Sequence, residues 1–316
     1  MSDYLPEGMR TTAAGLSRQQ ILQAVGQPKI LEARAVMCDS AHNLIVELGS
    51  MRGIIPKEEC ALGIREGTVR DIAILSRVNK PVCFAVTGMT KTHAGEPVAV
   101  LSRRTVQQHC MEEYLSHLSQ GDVIPAKVTH LEPFGAFVDV GCGIVSLIPI
   151  DAISVSRISH PSDRFWVGQD ILAVVRGFDH EGKLCLTHKE LLGTWEENAA
   201  AFSPGQTVAG IVRSIENYGI FVELTPNLAG LAESRPGVEA GQQASVYIKS
   251  LIPEKMKVKL ILVDSFQAAY PKQPPHYFFQ GSHMDRFVYS PACATRQIVT
   301  DFTKPFDPPE HSANQP

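Results

Sequence analysis

The chain has 316 residues, an apolar fraction of 44% and a formal net charge of −4 at pH 7. This length suits two or three small domains, and the acidic balance argues against a protein that binds every polyanion. No apolar run approaches the length of a membrane-spanning helix, and residues 1–10 lack the pattern of a signal peptide. The seven cysteines are odd in number and form no CxxC pair, which indicates reduced thiols in a cytoplasmic protein.

The N-terminal segment, residues 1–27, contains the pattern of one short helix. Ser17 suits the N-cap, Ile21, Leu22 and Val25 form an apolar stripe, and Gly26 suits the position after the last turn. We expect this helix to cap the first domain. The alternative is a helix that docks on a larger assembly.

Two aromatic motifs recur 84 residues apart and reveal an internal repeat. The first is Phe134-Gly-Ala-Phe137 and the second is Tyr218-Gly-Ile-Phe221. Each lies in a block that reads as five short β segments within roughly 60–75 residues, the number expected of a small OB-type barrel. A degraded earlier copy is visible around Val46 to Gly49, where His42 and Ile45 occupy the positions of the two rings. The fold class predicted is therefore all-β, with three tandem five-stranded OB-type barrels.

Helical patterns separate the copies, and a β-rich segment follows the last one. Residues 274–300 alternate apolar and polar side chains, so we expect a hairpin-like extension packed on the third barrel. Proline-rich, polar sequence at the end predicts disorder. The predicted domains are 1–27, an N-terminal helical segment; 28–104, a divergent first barrel; 105–120, a helical connector; 121–190, the second barrel; 191–204, a second helical connector; 205–264, the third barrel; 265–302, the extension; and 303–316, a disordered tail.

The paired rings are the strongest functional signal in the repeat. Strict alternation along a strand would place Phe134 and Phe137 on opposite faces, whereas a bulge at Gly135 would let both point the same way. Two adjacent rings beside a cation make a platform on which unpaired bases stack. The alternative is that one or both rings belong to the barrel core.

The block from Gly121 to Lys189 resembles the S1 domain of bacterial ribosomal protein S1. The resemblance rests on the opening Gly-Asp-Val, the Phe-Gly-Ala-Phe-Val-Asp motif at 134–139, Gly168-Gln169 and the closing Leu-Thr-His-Lys at 186–189. The third block is similar, and the whole chain resembles the short S1-like ribosomal proteins of Gram-positive bacteria. The resemblance implies a non-enzymatic protein that binds single-stranded mRNA in translation and associates with proteins of the small ribosomal subunit.

The family's RNA face combines the paired aromatics with a histidine, an aspartate and a basic residue. Here Pro149 and Glu233 stand in the histidine positions. The aspartate position holds Asp179 in the second copy and Ile252 in the third, and Lys183 and Lys257 fill the basic position. Other basic side chains near the rings are expected to contact phosphates, with solvated surface as the alternative. The predicted RNA contacts are Lys127, Phe134, Phe137, Asp179 and Lys183 in the second copy, and Arg213, Tyr218, Phe221, Lys249, Lys255 and Lys257 in the third.

No pattern in the sequence indicates catalysis, a cofactor, a metal or a small-molecule substrate. His180, Cys185 and His188 lie close together without a fourth ligand at a usable spacing, and no Walker loop is present. Two other functions stay open. One is a scaffold or regulatory factor that mainly makes protein contacts and binds RNA weakly. The other is an accessory RNA-binding module whose catalytic domain is supplied by another chain.

Overall fold

The computed structural model describes residues 3–10, 15–92, 94–268 and 272–307. These residues form two compact units. The first contains the chain up to Leu118 together with 125–127 and 139–145, and the second contains the rest. Among the described residues, no helix is long and apolar enough to cross a membrane.

Three closed five-stranded barrels follow one another along the chain, as the repeat predicts. Around each barrel the hydrogen-bonded order of the strands is first, second, third, fifth, fourth. The third and fifth strands run parallel to each other. The strands of the first barrel are β1 (Leu31–Cys38), β2 (Leu44–Glu47), β3 (Arg52–Ile55), β4 (Pro81–Lys91) and β5 (Pro97–Ser102). Those of the second are β6 (Val123–Glu132), β7 (Gly135–Gly141), β8 (Ile144–Pro149), β9 (Asp170–Phe178) and β10 (Leu184–Thr187). Those of the third are β11 (Thr207–Glu216), β12 (Gly219–Thr225), β13 (Leu228–Ala232), β14 (Gln243–Ile252) and β15 (Lys257–Phe266).

The N-terminal helix α1 (Arg18–Ala24) packs on the first barrel. The Ser17 hydroxyl accepts a hydrogen bond from Gln20 N in a capping box, which is the predicted start. Ile21 and Ala24 are buried in the core of the barrel. The predicted apolar stripe is wrong at Leu22, which is 49% exposed. The helix therefore caps the first barrel, which was the first of the two expectations.

The connectors are shorter and less regular than their patterns suggest. A short helix α2 (Ile72–Leu75) lies within the first barrel, and α3 (Arg103–Glu113) follows it, capped by the Ser102 hydroxyl. The second connector is reduced to α4 (Trp195–Ala199). Gly193, with a left-handed φ of +85°, ends the preceding 3₁₀ turn, because no helical residue adopts that conformation.

A buried ion pair ties the N-terminal segment to α3 within the first unit. The Glu7 carboxylate accepts hydrogen bonds from Arg103 at 2.6 and 3.0 Å, and it also accepts Cys83 N at 3.0 Å. Glu7 N in turn donates to the Asp139 carboxylate at 2.8 Å. Nothing in the sequence pattern of residues 3–10 predicts this network.

The C-terminal extension packs on the second barrel as well as on the third. Its strands β16 (Arg286–Val288) and β17 (Val299–Asp301) form an antiparallel hairpin, shorter than the predicted one. Met284 N donates to Gly121 O in the second barrel, and the Tyr289 hydroxyl donates to Asn227 O in the third. Phe306, predicted to lie in a disordered tail, stacks against Arg176 with 5.2 Å between its ring centroid and the guanidinium carbon. The rest of that tail, residues 308–316, lies outside the described residues.

His188 joins the second barrel to the extension. The side chain is fully buried, with Nδ1 2.9 Å from Ile153 O and Nε2 3.3 Å from the Tyr277 hydroxyl. Its ring packs edge-on against Phe165 at a centroid distance of 4.9 Å. Burial lowers the pKa of His188 to about 4, and the hydrogen bond to Ile153 only partly opposes this shift.

This low pKa predicts acid sensitivity. Histidine in an unfolded chain has a pKa of about 6.5, so below that pH the unfolded state binds a proton that the folded state does not. We expect the contribution of His188 to stability to be complete above about pH 6.5. It should be lost between about pH 6.5 and 4, by up to about 3 kcal/mol.

Urea unfolding at several pH values, compared with His188→Asn, tests this expectation. Asparagine keeps a donor for Ile153 O but does not titrate, so the variant should lose less stability across this window than the unaltered chain. The prediction is wrong if the two proteins lose stability equally as the pH falls.

Candidate nucleic-acid interface

Two aromatic platforms with the same geometry lie on the second and third barrels. In platform A, the rings of Phe134 and Phe137 have centroids 5.9 Å apart and an interplanar angle of 89°. In platform B, the rings of Tyr218 and Phe221 are 6.0 Å apart, also at 89°. The leading ring is mostly exposed in both, 56% for Phe134 and 69% for Tyr218, and the second ring is half-buried. These rings are therefore presented to solvent rather than packed as a core.

A tight turn brings the two rings of each platform together. Phe134 and Tyr218 lie in the tight turns before β7 and β12, so strand alternation does not apply to them. In the third barrel Gly219 pairs regularly with Glu216. The irregularity lies in the neighbouring strand β11, between Val212 and Ser214. The extra residue of the third barrel is therefore Arg213, and the bulge considered at Gly135 has no counterpart at Gly219.

Gly135 and Gly219 are required by the close approach of the next strand. A Cβ on Gly135 would lie 2.5 Å from Ile148 O, and one on Gly219 would lie 2.5 Å from Ala232 O. Contacts this short to backbone oxygen force the strands apart. The same steric reason therefore explains why glycine follows the leading ring in both platforms.

We expect Gly135→Ala to lower the free energy of unfolding by about 1–3 kcal/mol. The matched control is Gly88→Ala, because a Cβ on Gly88 meets no atom within 4 Å. Neither glycine has a left-handed φ, so the two substitutions differ mainly in the space available. Chemical denaturation of both variants measures the difference, and equal losses of stability would contradict the steric explanation.

His130 extends platform A and was not anticipated from the sequence. Its ring lies 6.3 Å from that of Phe137 with an interplanar angle of 29°, and its Nε2 is 2.6 Å from a Glu132 carboxylate oxygen. The position equivalent to His130 in the third barrel is Ser214. The available signal was the position of His130 at the end of the β segment that precedes the Phe134 turn. The two platforms therefore differ in the number of rings.

Arg213 is engaged inside the protein rather than free beside platform B. Its guanidinium makes two bonds to the Glu223 carboxylate, at 2.7 and 3.2 Å, and lies 3.2 Å from Asp163. Its side chain is 10% exposed, and Arg164 also bonds to Glu223. A phosphate contact by Arg213 would therefore compete with these buried ion pairs.

Asp179 and Lys183 lie together in the β9–β10 turn. The Asp179 carboxylate accepts the backbone N–H groups of Glu181 and Lys183 at 2.9 and 2.8 Å, which is how a turn residue of this type stabilises its own loop. Lys183 Nζ bonds to the Glu181 carboxylate at 2.5 Å, and this bond raises the pKa of Lys183. Lys183 is largely exposed, so its ammonium group is accessible to an anionic ligand in place of Glu181.

The remaining predicted cations are distributed over both barrels. Lys127 is half-buried on β6. Lys249 on β14 and Lys257 on β15 are exposed, as is Lys255 in the turn between those strands.

A cavity of about 290 Å³ adjoins platform B. Tyr218, Phe221 and Arg213 line it, so the structure brings these three predicted residues together. Ser156 and Arg157, from the loop after β8 of the second barrel, complete the wall. Arg157 is exposed, and the sequence analysis did not predict it as a site residue. It reaches the cavity only because its loop docks on the third barrel, where Ser156 N donates to Pro226 O.

His180, Cys185 and His188, which lie close together in the sequence, form no metal site in the part of the chain that the structure describes. Both ring nitrogens of His188 face protein oxygens, while His180 is exposed in the β9–β10 turn. In the described part of the chain, no group of three or more His, Cys, Asp or Glu side chains is arranged to hold a metal ion.

Comparison with known proteins agrees with this architecture. Residues 118–189 match the family model described as the S1 RNA binding domain. Small ribosomal subunit protein bS1 of Staphylococcus aureus strain COL is 31% identical over 191 residues, which cover 55% of this chain and 48% of that protein. The bS1 protein of Leuconostoc lactis is 30% identical over 225 residues, covering 69% of this chain and 50% of the relative.

One solved structure covers more of the chain at lower similarity. It is a multidomain protein with nucleic acid binding domains from Streptococcus pneumoniae TIGR4, 13% identical, covering 77% of this chain and 76% of that one. Its TM-score is 0.24. The chain spans about half the length of the bS1 relatives it matches. Residues 118–189 therefore match the S1 RNA binding domain, and the chain with its three tandem barrels is similar in sequence to bS1 proteins.

Proposed function

We propose that the chain binds single-stranded RNA and acts in translation together with the small ribosomal subunit. The observation that carries the proposal is the repetition of one exposed aromatic platform on two barrels, with ring distances of 5.9 and 6.0 Å. Exposed aromatic rings lower the solubility of a protein unless a partner covers them. Unpaired bases stack on such rings without strong sequence preference. The names of the bS1 relatives support the assignment to the small subunit.

The same reasoning favours binding rather than catalysis. The predicted partners are mRNA and proteins of the small subunit, in the cytoplasm, without a cofactor. Two weak sites on one chain act together, because binding at the first raises the effective concentration of RNA at the second. We expect platforms A and B to supply the stacking and the exposed lysines of the third barrel to supply phosphate contacts.

The test has two parts. Affinity for a single-stranded RNA is measured for the unaltered chain and for Phe134→Ala/Tyr218→Ala, and both proteins are then sedimented with small subunits. RNA binding that depends on the platforms supports the first half of the proposal, and co-sedimentation supports the second. Failure to bind RNA at all contradicts it.

One observation favours the scaffold function instead. The outer face of β14 and β15 exposes several large apolar side chains, which suits a protein contact. They are Tyr247, Ile261, Val263 and Phe266. If this face is the main functional surface, the platform variant will still sediment with small subunits at the level of the unaltered chain.

A further inference from the structure

A second cavity lies directly beside the one at platform B. Its volume is about 320 Å³, and the two cavities share Val155, Ser156 and Ala229 in their walls. A volume near 300 Å³ is at the lower end of sites that hold small organic molecules. The two cavities are therefore neighbours along these three residues.

Besides Asn227 and Ala229, at and just before the start of β13, three other segments build this second cavity. The loop of the second barrel supplies Val155, the β14–β15 turn supplies Lys255 and Met256, and the C-terminal extension supplies Tyr289 and Arg296. The cavity is therefore absent from an isolated barrel. It exists only where the extension crosses the third barrel.

Hydrogen bonds hold the walls of the cavity in place. Val155 N donates to the Asn227 side-chain oxygen at 3.0 Å, and the Tyr289 hydroxyl donates to Asn227 O at 2.6 Å. Asn227 is itself fully buried. On the other side, Thr295 N donates to Glu254 O at 2.9 Å, which fixes the extension next to the β14–β15 turn. The site is thus formed before any ligand arrives, which lowers the entropic cost of binding.

The charged groups in the wall are both cationic. Lys255 and Arg296 line the cavity, and no carboxylate does so among the described residues. Within that same part of the chain neither cation takes part in an ion pair, unlike Arg213 beside platform B. Met256, Val155 and the Tyr289 ring supply apolar surface next to these charges. Two unpaired cations beside apolar walls suit a phosphate attached to a flat, partly apolar group.

We infer that this cavity binds the nucleotide of a single-stranded RNA that follows the base stacked on platform B, with its phosphate between Lys255 and Arg296. The inference rests on the proposed RNA binding and extends it to the C-terminal extension. The RNA then contacts the extension as well as the strands of the third barrel. Arg296 contacts a phosphate, so it adds affinity without selecting a base.

The test compares charge variants of the intact chain in fluorescence anisotropy with an oligouridylate of about 12 nucleotides, a length within the range that OB-type barrels cover. Arg296→Ala is expected to weaken binding by about tenfold at low salt. It should also reduce the slope of log K against log salt concentration by about 0.7, since one phosphate contact is lost. Arg296→Lys keeps the charge and should retain most of the affinity.

Arg286→Ala is the matched control, because Arg286 is an exposed arginine of the same extension outside both cavities. The Arg286→Ala variant should bind the RNA with the same affinity as the unaltered chain. If Arg286→Ala and Arg296→Ala weaken binding equally, the loss reflects only the lower positive charge of the protein, and the inference is overturned.

Tyr218→Ala serves as the reference for the proposed function. If Tyr218→Ala weakens binding and Arg296→Ala does not, only the inference fails. If the unaltered chain binds no RNA, the proposed function fails first.

Uridine monophosphate separates an RNA site from a site for free nucleotides. The inference expects no saturable binding of the mononucleotide at concentrations that saturate the oligomer. Tight mononucleotide binding that Arg296→Ala abolishes would overturn it. Arg296 and Arg286 are exposed, so their variants are expected to melt at the same temperature as the unaltered chain, which should be verified.

Discussion

The double variant Phe134→Ala/Tyr218→Ala is expected to bind single-stranded RNA at least about 30-fold more weakly than the unaltered chain. A base stacked on an aromatic side chain contributes about 1–3 kcal/mol, and the variant loses one leading ring from each platform. About 2 kcal/mol is therefore the smallest expected loss, and every 1.4 kcal/mol changes the dissociation constant about tenfold. Anisotropy titration of a labelled RNA measures the change.

The salt dependence distinguishes stacking from charge. Neither ring contacts a phosphate, so the slope of log K against log salt concentration should stay the same in the double variant. Phe266→Ala is the control, because Phe266 is 48% exposed on β15 and outside both platforms. It should bind RNA as the unaltered chain does. Unchanged affinity of the double variant would show that the rings have a role other than stacking on RNA.

The second large effect concerns stability. Arg103→Met is expected to lower the free energy of unfolding of the first unit by about 3–5 kcal/mol. Arg103 and Glu7 are almost completely buried, so the substitution leaves the Glu7 carboxylate in a poorly solvated place with only its longer ion pair to Arg77, at 3.4 Å. Burial alone raises the pKa of Glu7, but the charge and hydrogen bonds of Arg103, the charge of Arg77 and the hydrogen bond from Cys83 N together lower that pKa in the intact protein. Urea unfolding followed by circular dichroism measures the loss.

The neighbouring residue supplies the control for this prediction. Arg104 lies on the same helix and pairs with Glu66, whose side chain is 46% exposed. Arg104→Met should cost less than about 1 kcal/mol, because exposed ion pairs contribute little. A double variant with Glu7→Gln should be more stable than Arg103→Met alone, since the buried charge is then removed as well. Similar losses for Arg103→Met and Arg104→Met would contradict the argument from burial.

The fold and the location of the platforms were readable from the sequence because their signals are local. Alternation, glycine turns and the spacing between Phe134 and Tyr218 repeat along the chain, and the three barrels follow from that repeat. The offset also assigned Phe137 and Phe221 to equivalent places without any knowledge of contacts. What alternation could not supply was the orientation of the leading rings, because both belong to turns, where the two-residue period of a strand does not apply.

The partners of the charged side chains depend on the tertiary structure. Arg213 looked like a free cation beside the rings, but it bonds to Glu223 and Asp163. Asp163 lies in the long loop of the preceding barrel, and no local pattern predicts where such a loop docks. Lys255 lines a cavity only because the C-terminal extension, with Arg296, supplies another wall of that cavity.

The sequence alone therefore determined the repeat, the barrels and the places of the four platform rings. The tertiary structure decided how the ends of the described chain are used: Glu7 inserts beside Arg103, and the extension packs on two barrels and closes a basic cavity with Arg296. The physical reason is the range of the interactions. Strand and turn preferences act between near neighbours, whereas ion pairs and cavity walls join residues that are far apart in the chain and meet only after the barrels have formed.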